Sequence, residues 1–409
     1  MHPEREAFGL ATDYGFNYYI ALMTMTAWVF SGEKKSLPNQ TLTTLIITFA
    51  LLVSVSTYYA IDYPNAYELW DRHIKTVALV VVVMGMANSK LRIQALLWML
   101  ALSIGYYAVK GGGYFLISGG SADSPVFGPE ETMIDDNNHL ALAILITIPL
   151  LYYLRSTTES PLVKWVLLGV IAISVMAIVG TYSRGGFVGL VVVGIAFMMT
   201  ARRRLAAVLM AGTLALGIVS VAPPDWVARI SGISGFKKDE SSISRLAAWE
   251  TSWNLALDRP LLGGGFSAIE TPNTYVKYRG KADKTEADGR AAHSIYFQLL
   301  GDNGFPAFFV YLGMILAGMY NLVRVQSLTR GVEDLAWANL LSRMMSVSFA
   351  GFLTAGAFLS MAYYDGFLCV LALTAALRGV VAEALARGVQ TSTDLVPEMS
   401  RPVPAFRLK

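Results

Sequence analysis

Two arginines and one histidine, widely spaced in a 409-residue chain, are the side chains whose types and settings best suit chemistry. Arg184 interrupts "GTYSRGGF" (180–187), a short break between two apolar runs, with Ser183 before it and two glycines after it. Arg245 follows Ser244 in "SISRLAAWETSWNLALDRP", where Leu246, Trp249, Trp253 and Leu257 recur at spacings of three and four, the period of one helix face. Ser244 is expected to cap that helix and Pro260 to stop it. A cation in a first turn opposes the helix dipole, so something other than helix stability is the reason to place one there. Free N–H groups at a helix start and a forked guanidinium both suit a phosphate. A solvated charge, or a pair with Glu250 or an acidic loop residue, is the plainer alternative.

His293 opens "HSIYFQLLGDNGF", a helical stretch that Asn303, Gly304 and Pro306 are expected to end. Near a helix start and near arginines its imidazole would be held neutral, ready to accept a proton. A histidine satisfied by a loop carbonyl is the other reading. Two cations beside a neutral base describe a reaction in which an anionic group leaves while a hydroxyl attacks. Asp135 and Asp136 in "IDDNNH" are the best acidic candidates for a Mg²⁺ site, set against an ordinary role as a turn and helix cap. A three-residue glycine run, "LLGGGF", should form a turn that brings backbone close to something, although such runs are common in loops.

The elements that must position these residues are membrane helices. The chain is 55% hydrophobic and 15% charged, with a mean hydropathy of +0.50, which is more apolar surface than one soluble core needs. The fold class expected is all-α: a polytopic transmembrane bundle of about 11–12 spans with one large helical loop subdomain on the outer side. The windows are 12–31, 41–60, 73–88, 91–109, 139–154, 163–182, 186–201, 204–222, 305–323, 336–361 and 366–383. Lys and Arg collect on alternate connections, in "GEKK", "NSKLR", 155–164, "RRR", 324–330 and the tail, and these should face the cytoplasm. Arg184, Arg245 and His293 then lie on the opposite, outer side. The expected division is an N-terminal bundle (1–222), an outer loop subdomain carrying the motifs (223–304), C-terminal spans (305–386) and a cytoplasmic tail (387–409).

The segment 223–292 nearly balances its charges, and its Trp-bearing helix should lie against the membrane interface or the top of the bundle. Met1 falls outside by this topology, so either a hydrophobic segment precedes it or the first span inserts N-terminus-out. The single cysteine, Cys369, lies in an apolar window, so packing rather than disulfides must order the outer loops. The net charge of +3 is accounted for by the positive-inside pattern, and no nucleic-acid signature is present. A secondary transporter would place ionisable residues and broken helices at mid-membrane. Here the spans are nearly free of charge away from their ends, Arg343 being the main exception.

"TYSRGG", "SRLAAW…DRPLLGGGF" and "HSIYFQLLGDNGF", together with "YYAVKGG" and "DDNNHLALA", resemble the successive motifs of the O-antigen ligase superfamily, which also holds O-antigen polymerases and O-linking oligosaccharyltransferases. The likeness is greatest to the exosortase A-associated O-glycosylation ligases, and "MHPER" resembles a point after the first hydrophobic segments of longer relatives. The resemblance implies a metal-independent, inverting glycosyl transfer, without cofactor, at the periplasmic face of the inner membrane, which would make the outer loop subdomain periplasmic. The donor would be a glycan on undecaprenyl diphosphate and the acceptor a sugar hydroxyl of lipid A-core. It further implies that Arg184 and Arg245 bind the diphosphate and that His293 is the general base. The second motif departs from the family's Arg-x-x-x-Leu by reading Arg-x-x-x-Trp. Lys110, Tyr182, Arg279 and Arg290 are further candidates for holding phosphate or sugar, against the plainer reading of ordinary surface residues. A lipid-linked glycan or a protein Ser/Thr as acceptor would make the chain a polymerase or an oligosaccharyltransferase instead, and the motifs do not separate these.

Overall fold

A computed structural model describes residues 16–32, 37–120, 124–200, 240–280 and 288–394. Among the described residues the chain is all-helical, with twelve α-helices, two short 3₁₀ turns and no strand. The helices are α1 (Phe16–Phe30), α2 (Gln40–Tyr58), α3 (Tyr63–Met86), α4 (Lys90–Ile117), α5 (Asn137–Thr157), α6 (Pro161–Gly180) and α7 (Arg184–Thr200), then α8 (Glu240–Asp258), α9 (Pro272–Tyr278), α10 (Ile295–Leu328), α11 (Ala336–Gly356) and α12 (Asp365–Asp394). Six are long and apolar enough to cross a membrane: α2, α4, α5, α6, α10 and Asp365–Arg387 of α12. The chain is therefore a multi-pass membrane protein.

Several expected spans take a different form. Those at 12–31 and 186–201 are shorter apolar helices, Tyr19–Phe30 and Arg184–Thr200. The window 73–88 is the second half of α3, which begins at Tyr63, with Pro64 in its first turn. Its first turns carry the exposed pairs Glu68–Arg72 and Asp71–Lys75, polar sequence that helical periodicity alone does not exclude from a helix. The window 336–361 stops at Gly356 in α11, and that at 204–222 lies outside the described residues, as do much of the expected loop segment and most of the tail.

Local chemistry sets many of the helix starts. Asn39, Ser89, Asp136 and Ser160 each accept a hydrogen bond from a backbone N–H of the first turn they precede, satisfying donors that have no intrahelical partner. Helix α5 is apolar on every face and is the buried axis of its part of the bundle, packed by α4, α6, α7 and α11. Helix α10 packs against α2, α8, α11 and α12 while keeping one face exposed. Large exposed apolar side chains, among them Leu51, Leu102, Trp165, Leu316 and Val323, suit a lipid-facing surface. Cys369 is a free thiol on α12, and Arg343 is half-buried on α11.

Helix α10 was expected to end near Asn303. It kinks there and continues. Gly304 takes φ 73°, ψ −175°, and Pro306, which lacks an N–H, follows it. The carbonyls this frees are taken by the glycine run: Gly264 N donates to Gly301 O and Gly265 N to Asp302 O, both at 2.8 Å, while Phe305 N donates to Pro260 O at 2.9 Å. A Cβ on Gly263 would sit 2.6 Å from the Gly301 and Asp302 carbonyl oxygens. The kinked helix is thus what "LLGGGF" approaches, and the break is satisfied by neighbouring backbone instead of terminating the helix.

Around this knot, Asn303 Nδ2 donates to Ser56 Oγ of α2, and Tyr363 Oη donates to Asn303 Oδ1 and lies 3.1 Å from Asp302 Oδ2. Residues of 248–292, including Leu255, Ile269, Tyr275 and Tyr278, form a small apolar cluster of their own against Phe297 of α10.

Candidate functional site

Arg184 is the first residue of α7. Ser183 Oγ accepts from Gly186 N at 3.0 Å, which makes Ser183 the cap of that helix and places Arg184 in its first turn. Cation and helix start therefore coincide at Arg184. They do not coincide at Arg245, because α8 begins by Glu240 and Ser244 lies within it rather than capping it. An acidic residue at Glu240 suits a first turn better than the Ser-Arg pair, so the helix runs upstream of the first apolar residue that marks its face. Arg245 is half-buried on the second turn.

The corner preceding α7 is tied on several sides. Tyr182 is buried with φ 54°, Asn137 Nδ2 donates to Thr181 O at 2.7 Å, and Val126 N donates to Gly180 O at 2.9 Å. The two glycines after Arg184 are contact points: a Cβ on Gly186 would meet Ala141 of α5 at 2.8 Å, and one on Gly185 would meet Phe358 at 3.3 Å. The start of α5, the start of α7 and the segment after α11 are consequently neighbours. At the start of α5, Asp136 Oδ1 accepts from Asn138 N and His139 N, and Asp135 Oδ1 accepts from Asp136 N. These two carboxylates form the turn and cap, the ordinary role set against a metal site.

His293 sits in a strained link. Its φ is 45°, in the left-handed region that costs a non-glycine residue about 1–2 kcal/mol. Two hydrogen bonds hold it, His293 N donating to Ser360 Oγ at 2.8 Å and Trp249 Nε1 donating to Ala292 O at 2.8 Å, and Ser294, the residue before α10, follows it. Trp249 also stacks on Phe297, rings 5.1 Å apart and 8° from parallel. Trp249 is thus turned inward, whereas Leu246, Trp253 and Leu257 are exposed, so the four do not share one buried face. Because Arg245 lies one turn before Trp249, the same docking brings its charge to His293.

Burial holds the His293 imidazole below its ordinary pKa, and the Arg245 charge lowers it further; His139 acts in the same direction and Asp136 opposes. The first turn of α5 is therefore part of this cluster. The segment 357–364 is its floor: Ser360 holds His293, Gln298 Oε1 accepts from Ala362 N at 3.0 Å, and Phe358 abuts Gly185.

Arg245 and His293 are thus gathered with Asp136 and His139, and Arg184 joins the same end through the α5–α7 contacts and Phe358. Ser360, Trp249 and His139 were not singled out as site residues by sequence. "DDNNH" was visible as a capping signal, but nothing local marks Ser360. Lys110 is exposed on α4, lining a cleft of about 270 Å³ with Tyr107, Tyr114 and Phe127 on the flank of the 180–184 corner. Arg279 ends α9, and Arg290 N donates to Ile269 O. Among the described residues, no three His, Cys, Asp or Glu side chains are grouped as metal ligands.

These features define an all-helical, multi-pass membrane protein with a cationic, histidine-bearing site at one end of its bundle. Residues 168–312, a stretch containing Arg184, Arg245 and His293, match the O-Antigen ligase family, so the chain carries an O-antigen ligase-type domain. That domain is the one found in glycan ligase- and polymerase-type enzymes, whose substrates are lipid-linked glycans in general. Residues 1–159 match a family of unknown function. No curated protein matches the chain.

Proposed function

We propose that the protein is an O-antigen ligase: it moves a glycan from undecaprenyl diphosphate to a sugar hydroxyl of lipid A-core, at the periplasmic face of the bacterial inner membrane. The observation that carries the reading is His293, an imidazole held in a strained backbone position, kept neutral by burial and by Arg245, and lying at the same bundle end as a second arginine on a helix start. His293 takes the proton of the acceptor hydroxyl, and the oxygen forms a bond to the anomeric carbon from the face opposite the diphosphate. The C–O bond to the diphosphate breaks, its electron pair leaves with the phosphate, and configuration inverts. Arg184 and Arg245 hold the departing group. Each charge-assisted hydrogen bond is worth about 1.5–3 kcal/mol, or ~10- to 150-fold in rate if made fully only in the transition state.

Positive-inside loop charge supports the periplasmic placement of this end. The reaction proposed uses no metal, and Asp135 and Asp136 keep the role of turn and cap at the start of α5. The experiment offers lipid-diphosphate-linked glycan to the membrane-embedded enzyme with lipid A-core, with a second lipid-linked glycan, or with a protein acceptor. Transfer to lipid A-core that is lost in His293→Ala at equal membrane abundance is the expected result. Transfer only to another lipid-linked glycan or to protein would make it a polymerase or an oligosaccharyltransferase, and normal transfer by His293→Ala would remove the base.

A further inference from the structure

The first turn of α5 carries a group that the reaction above leaves unused. His139 gives its backbone N–H to the Asp136 cap, while its ring nitrogen Nδ1 is buried with no hydrogen-bond partner among the described residues. A neutral imidazole has one donor and one acceptor nitrogen, and burying either without a partner is unfavourable unless a ligand supplies one. The ring's setting shows where that ligand would be. Asn137 and Ala141, four residues apart and so on one face of α5, bond Thr181 O beside Arg184 and touch Gly186, respectively, whereas His139, two residues from each, leaves from the other side of that turn, the side near His293. The His139 ring is near enough to His293 that a charge on it would lower the His293 pKa. The ring therefore belongs to the turn that runs between the base and the helix start bearing Arg184.

We infer that His139 is a further substrate-binding residue of this site, its Nδ1 taking as partner a hydroxyl of a sugar substrate. A phosphate is the poorer fit: Asp136 shares the turn and repels an anion, whereas a neutral hydroxyl is compatible with a neighbouring carboxylate. The two arginines then serve the diphosphate, and the α5 turn serves the sugar. This inference rests on the glycosyl-transfer reading. The hydroxyl can belong to the transferred sugar of the donor or to the acceptor, and kinetics distinguish the two.

Asn at position 139 keeps an amide near the place of Nδ1, whereas Gln keeps one near Nε2. Wild type, His139→Ala, His139→Asn and His139→Gln are assayed in membranes with donor and acceptor varied in turn. The Ala and Gln variants are expected to raise the KM of one substrate ~10-fold or more, while the Asn variant stays within ~3-fold of wild type. The substrate whose KM rises is the one whose hydroxyl His139 holds. Unchanged KM for both substrates in His139→Ala overturns the inference, as does an Asn variant no better than the Gln variant of similar polarity. If wild type itself transfers no glycan, the glycosyl-transfer reading falls and this inference with it; if wild type is active and His139→Ala matches it, only the inference falls.

Discussion

Ser360→Ala isolates the device that holds the base. Ser360 contributes one contact to the site, accepting the His293 N–H at 2.8 Å. His293 is kept at φ 45°, a conformation about 1–2 kcal/mol above the ordinary backbone wells. A half-buried N–H that loses its acceptor costs about 1–2 kcal/mol, comparable with the strain it offsets. The link is then free to relax toward negative φ, carrying the imidazole out of reach of the acceptor oxygen. At 1.36 kcal/mol per factor of ten, the competent population falls ~5- to 30-fold. Trp249, Ser294 and the kink at Gly304 are untouched, so the fold and both arginines stay in place, and the loss should appear in kcat with the donor KM little changed. Ser360→Thr, which retains a hydroxyl, should recover most of the rate. The assay is steady-state transfer at matched membrane abundance. A kcat for Ser360→Ala within ~2-fold of wild type would refute the argument that this bond maintains the strained link.

The pH dependence has a definite sign. His293 works as a neutral base, so activity is lost as pH falls through its pKa, and because burial and Arg245 lower that pKa, the acid limb of kcat/KM should lie below the ordinary value of 6.5. Arg245→Gln removes one depressing charge and should move the limb upward as well as lowering the rate; a downward move in a pH–rate profile would contradict the arrangement. Gly304→Ala should lower the thermal midpoint in detergent and abolish transfer, because φ 73°, ψ −175° costs a residue with a side chain about 1–3 kcal/mol. The added Cβ would also meet Pro260 O at 2.6 Å and Gly263 N at 3.0 Å. Gly113→Ala, with nothing within 4 Å of the new Cβ, is the matched control expected to leave both measurements near wild type.

Features written within a few residues were legible from the chain alone. Apolar runs of membrane length announced the bundle, "DDNNH" announced a helix cap, and "SRGG" marked a polar break between two spans; each is a matter of short-range sterics, hydrogen bonding and solvent transfer, which neighbouring residues decide. Places where local rules conflict with distant partners were decided by tertiary structure. "DNGFP" reads as a helix stop until the glycines of 263–265 supply donors for the freed carbonyls, and Trp249 reads as part of an apolar stripe until Ala292 O, 43 positions away, takes its N–H. The bond from His293 N to Ser360, a separation of 67 positions, has no local signature at all. Nor does any periodicity tell that the first turn of α5, the first turn of α7, the second turn of α8 and the loop before α12 meet. A buried N–H or a strained φ finds its compensation in space rather than along the chain, so the residues that could do chemistry were readable one by one, while their convergence on one site required the packed bundle.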